Sequence, residues 1–76
     1  MAHGYRFDDS HPSKGDKVSV FKSLSDLERF LKDKPNGGHI PGHKIYEVHG
    51  EWHRGSSEYP DGFTIVVESS SVVRSL

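Results

Sequence analysis

Cysteine is absent from this chain, which excludes disulfides, thiolate metal sites and thiol chemistry. Small secreted domains usually depend on disulfides, so a cytoplasmic protein is the expectation. Long apolar runs are missing too. The longest is Ile65-Val66-Val67, whereas a membrane-spanning helix needs about 18 or more apolar residues, so no membrane is expected as a partner. No apolar stretch follows Met1, so no secretory signal is expected. A surplus of one charge is also lacking. Ten basic and eleven acidic residues give −1, which removes the overall basic signature of a nucleic-acid binder. Apolar residues are 32% of 76, enough for one small domain over 1–76. A chain this short buries only about 60% of its unfolded surface. Few side chains remain to line a pocket for a bulky cofactor, and none is expected.

Residues 1–16 read as a possible short strand at 4–8, where Tyr5 and Phe7 alternate with polar neighbours, followed by a turn-rich loop. Lys17-Val18-Ser19-Val20-Phe21 alternates and reads as a strand. The next segment is helical. Leu24, Leu27, Phe30 and Leu31 share one face at three- and four-residue spacing. Ser23 and Ser25 both offer an N-cap, with Glu28 completing a capping box for Ser25. Pro35-Asn36-Gly37-Gly38 stops the helix near Lys34. Residues 44–54 and 63–68 are strands joined across a turn at 55–62 that ends in Asp61-Gly62. Ser69-Ser70-Ser71 interrupts the pattern before a last short strand at 72–76. The expected fold is α+β: a small, mostly antiparallel sheet of 3–5 strands in β-α-β-β order with one helix on one face. The crossover from 17–21 to 44–54 is expected to be right-handed if both strands share the sheet.

Strand 44–54 carries the most information. Side chains alternate between the faces of a strand. Tyr46, Val48 and Trp52 fall on one side, with Gly50 among them, and this apolar side is expected under the helix with Phe63, Ile65 and Val67. Val18, Val20 and Val72 complete the expected core. The other side holds Ile45 and then four ionisable residues, Glu47, His49, Glu51 and His53, about 7 Å apart. A bulge at Gly50 would split that row, since glycine inside a strand often marks one.

An exposed Glu/His row is ordinary on the wet side of an antiparallel sheet. It also suits metal-independent RNA hydrolysis. Glu47 or Glu51 would take the 2′-hydroxyl proton, His49 or His53 would protonate the leaving oxygen, and Arg54, Lys44 or Arg74 would hold the phosphate. Metal binding is a third reading. His39 and His43 share a glycine-proline loop that a turn can fold up, and His49 or Glu47 would complete the set. His49 and His53 cannot share an ion, because residues four apart in a strand lie about 13 Å apart. The string His39-Ile40-Pro41-Gly42-His43 is similar to a segment in one group of bacterial polymorphic-toxin ribonucleases. Tyr5-Arg6 and Lys44-Ile45-Tyr46-Glu47-Val48 resemble strand segments of ADP-ribosyltransferases, whose fold takes a longer chain. Neither resemblance extends to neighbouring motifs, and no residue role follows from them.

The leading expectation is a small interaction protein that binds a protein partner. A modulator or inhibitor of the kind that phages and other mobile elements encode fits the size. Tyr5, Phe7, His39, His43 and Tyr59 form its expected contact surface, because exposed aromatics beside charge mark interfaces. Strand-to-strand homodimerisation is a further expectation. Nucleic acid is a partner only under the ribonuclease reading.

Overall fold

The computed structural model describes residues 1–76. Its elements are β1 (Ala2–Asp8), β2 (Lys17–Val20), α1 (Leu24–Lys32), β3 (Lys44–His53) and β4 (Phe63–Ser75), with one 3₁₀ turn over Pro35–Gly38. The strands make a single antiparallel sheet in the order β1-β3-β4-β2. The fold is a small α+β domain. β2 and β3 both run antiparallel to β4, so they are parallel to each other, but β4 lies between them.

The helix starts where its cap chemistry dictates. Ser23, not Ser25, is the N-cap, and its Oγ accepts the Asp26 N–H at 3.2 Å. Leu27 and Leu31 are buried one turn apart. The chain then turns through Asn36, Gly37 and Gly38, all in the left-handed region. At Gly38 an added Cβ would lie 2.7 Å from the Cβ of Leu31, so glycine lets the turn close against the helix.

The sheet curls until its two outer strands touch. Tyr5 donates its N–H to the Phe21 carbonyl at 3.0 Å, and Phe21 returns the bond to Tyr5 at 2.7 Å. The curl corrects the expected layering. Val20, Tyr46, Val48, Ile65 and Val67 form one buried cluster inside it. The helix does not lie over this face. Leu27 and Leu31 pack with Phe21 and Ile45 in a second cluster, and those two residues follow Val20 and precede Tyr46, so they point the opposite way. A strongly curled sheet covers its own apolar face, and the helix takes the apolar end of the outer one. Phe7, Phe21, Phe30 and Tyr59 pack there ring on ring, with Phe21 and Tyr59 stacked at 4.3 Å.

Two expected core residues lie outside. Trp52 is 61% exposed and Val72 is 49% exposed. Both sit near the ends of the inner face, beyond the reach of its cluster. The interruption expected at Ser69-Ser70-Ser71 is also corrected. β4 runs unbroken over 13 residues, because Ser69, Ser70 and Ser71 stay paired with His49, Val48 and Glu47. The ladder absorbs two register shifts instead, between Ile45 and Tyr46 and between His49 and Gly50. Glu68 and Val73 on β4 are the unpaired residues, so alternation along β3 is unbroken. Glu47, His49, Glu51 and His53 therefore keep one side of the strand.

Candidate functional site

On the outer face, past the aromatic cluster, three strands bring polar side chains into register. Tyr5 and His3 of β1 lie opposite Glu47 and His49 of β3. Ser71 and Ser69 of β4 lie opposite the same two residues on the other side. Directly opposed residues in an antiparallel pair have Cβ atoms about 4.5–5.5 Å apart, close enough to act together.

Glu47 is the hub. Tyr5 Oη donates to Oε2 at 3.0 Å, and His49 Nε2 meets Oε1 at 2.8 Å. The His3 ring stacks on His49 with centroids 5.4 Å apart and planes 19° from parallel. The His49 bond, then the Tyr5 bond, holds the Glu47 carboxyl below the usual glutamate range. The same Tyr5 bond, followed by burial, pushes the Tyr5 phenol up. With Glu47 ionised, His49 donates through Nε2 and is held in one orientation, as second groups hold catalytic and ligating imidazoles.

The rest of the row does not join this hub. Glu51 is exposed, and its cross-strand neighbours are Val66 and, beyond it, Lys17. His53 stays on that side but is covered by the following turn: its Nδ1 is buried with no partner, and an added Cβ on Gly55 would lie 3.0 Å from it. Arg54 is exposed in the following loop. No lysine or arginine salt bridge reaches Glu47: Arg6 pairs with Asp8, Lys14 with Glu68, Arg29 with Asp26 and Arg74 with Glu28. Two surface cavities, of about 400 and 230 Å³, open elsewhere. The larger lies between α1 and the end of β4, lined by residues including Lys32, His39 and Arg74.

No group of three or more His, Asp or Glu side chains is placed to hold a metal ion. The set His39, His43 and His49 is thus not gathered. His39 is exposed, the His43 ring packs 6.2 Å from Phe7, and His49 faces Glu47. The expected aromatic contact surface is also used internally. Phe7 and Tyr59 are half-buried and stacked at 5.8 Å, and Tyr5 is bonded to Glu47.

Sequence reasoning missed His3, Ser69 and Ser71. Nothing in the amino-acid order states the register of β1 on β3, and Ser69-Ser70-Ser71 reads as a break. The alternation His3-x-Tyr5-x-Phe7 was the available signal for a longer first strand.

A second unusual feature adjoins this patch. β4 spans Phe63–Ser75, but β2 pairs only with Phe63–Val66, extended by backbone bonds of Val67 to Gly15 and Asp16. Ser70 is held by side-chain contacts with His11 and Pro12. Beyond it, Ser71 to Ser75 are five consecutive exposed strand residues with β3 on one side only. No helix is long and apolar enough to cross a membrane. No family model, no curated protein and no solved structure matches the chain.

Proposed function

We propose that the protein works by binding another protein, taking an extended segment of it as an added strand along the open edge of β4. The observation that carries this reading is the length mismatch between β4 and β2, which leaves Ser71–Ser75 paired on one side only. Unpaired strand edges are templates for other chains. Main-chain bonds supply affinity in such complexes, and alternate side chains supply specificity. Edges are commonly guarded by lysine or proline. Here the run Ser69-Ser70-Ser71-Val72-Val73-Arg74-Ser75 has one charge and no proline. An added strand would lie beside Ser71, one strand away from Glu47, whose carboxylate would read its outward side chains.

RNA cleavage is the second reading. The 2.8 Å contact between His49 and Glu47 favours it. Against it, neither cavity includes these residues, and no lysine or arginine bonds to Glu47, while phosphoryl transfer relies on cations to stabilise developing charge.

A random-peptide display library panned on the full chain tests strand addition. The expected ligands bind in extended form, shift the NMR signals of Ser71–Ser75 and slow amide exchange there. Ligands that map to another surface, or a library that returns none, would sink the reading.

A further inference from the structure

Resting on the strand-addition reading, we propose that the cavity at the end of β4 receives an aspartate or glutamate side chain of the added strand, so that the partner presents an acidic extended segment. Two observations meet there. Ser71–Ser75 is the part of β4 with β3 on one side only. Arg74 and Ser75, the last two residues of that run, also line the larger cavity, of about 400 Å³. That volume lies in the ordinary range for ligand pockets, about 300–1,000 Å³. Arg74 is on the helix side of the sheet, because it pairs with Ile45 and bonds Glu28 of α1. Opposed strand residues have Cβ atoms about 4.5–5.5 Å apart. A residue seated opposite Arg74 on that side therefore neighbours the cavity.

Charge complementarity selects a carboxylate. Around the cavity stand Lys32, Arg74 and His39, with Glu28 as the one acidic side chain. Glu28 lies one turn before Lys32 but bonds Arg74, at 3.3 Å. Lys32 is exposed and has no acidic partner, the carboxylate of Leu76 included. Arg74 gives Glu28 only Nη2, so its Nε and Nη1 keep their donors for a second carboxylate, the group that a guanidinium fork matches. The carboxyl end of a helix repels anions within its last turn, and Lys32 stands in that turn to offset it. The other end of the open run has the opposite sign, since Ser71 lies beside Glu47. An added strand is thus oriented, with its carboxylate at the Ser75 end.

The random-peptide library panned on the full chain is panned again on Lys32→Glu and Glu28→Gln. Both positions are exposed, and circular dichroism of each variant confirms the fold. Wild-type ligands are expected to carry aspartate or glutamate at one fixed position and to shift the NMR signals of Lys32 and His39. Changing that acid to its amide is expected to weaken binding about tenfold, the effect of one charge-assisted hydrogen bond. The loss should shrink in Lys32→Glu and at high salt. Glu28→Gln removes the acid that Arg74 already holds, so acidic ligands should tighten while their amide counterparts do not. Ligands that protect the Ser71–Ser75 amides but lose nothing as amides overturn the carboxylate pocket and leave strand addition standing. An acidic preference undiminished in Lys32→Glu overturns the pocket as well. Ligands that leave the Ser71–Ser75 amides unprotected sink both proposals.

Discussion

Tyr5 and Phe21 exchange two backbone hydrogen bonds, of 3.0 and 2.7 Å, and so join β1 at one edge of the sheet to the residue that follows β2 at the other. The contact forms only because Gly4 has no side chain. A Cβ there would lie 2.5 Å from Val20 Cγ2 and 2.6 Å from the Phe21 carbonyl oxygen. Backbone carbonyl and a fully buried valine cannot both retreat. Gly4→Ala is expected to lower stability by about 1–3 kcal/mol, the usual cost of overpacking. Urea denaturation followed by circular dichroism measures it. A loss under about 0.5 kcal/mol would show that the closure is loose.

The two core clusters make opposite predictions for two large apolar residues. Leu27 is fully buried on the sheet-facing side of the helix, so Leu27→Ala is expected to cost about 2–5 kcal/mol. Trp52 is 61% exposed, so Trp52→Ala is expected to change stability by less than about 1 kcal/mol. Because Trp52 is the sole tryptophan, native fluorescence should already resemble that of the unfolded chain. A strongly blue-shifted native spectrum, or equal costs for the two variants, would contradict this placement.

The Trp52 result shows where the sequence was legible. The helix, the 44–54 and 63–68 strands, their hairpin and the α+β class follow from local periodicity, which fixes which residues share a side. Periodicity does not say which side the helix covers. Tyr46 and Val48 are buried as the alternation requires, but by curvature of the sheet, a long-range property set by Tyr5 meeting Phe21. The Glu47–His49 pair was legible because both residues lie on one strand. Its links to Tyr5 and His3 were not, since cross-strand register depends on pairing that no short window contains. The open β4 edge was hidden by Ser69-Ser70-Ser71, whose small polar side chains suit a turn as well as a wet strand.

Tyr5, Glu47 and His49 give a pH dependence whose signs follow from their shifts. Glu47 is held below its ordinary range, first by the His49 bond. Its contribution to stability is present above the unfolded value, about 4.3, and is lost as pH falls through the folded value. Tyr5 is raised, first by its bond to Glu47. Its contribution is present below the unfolded value, about 10, and is lost as pH rises through the folded value. Carboxyl NMR titration is expected to find Glu47 depressed in the wild type. It should move up in His49→Ala, and up by less in Tyr5→Phe. An ordinary Glu47 titration in the wild type would mean that the bonds do not persist in solution.

RNA turnover is the measurement that decides how the outer row is used. A general acid or base contributes about 10²–10⁴-fold to a rate, but only with the substrate held beside it and its developing charge stabilised. Glu47 and His49 lie on an open strand, outside both cavities, and Glu47 has no lysine or arginine partner. His53 Nδ1 is buried and faces the chain's own turn. Purified wild-type protein is therefore expected to leave RNA intact, as is the Glu47→Gln/His49→Ala double variant. Cleavage by both would indicate a contaminating nuclease and leave the expectation standing. Cleavage by the wild type that disappears in the folded double variant would overturn the binding function and make this strand an active site.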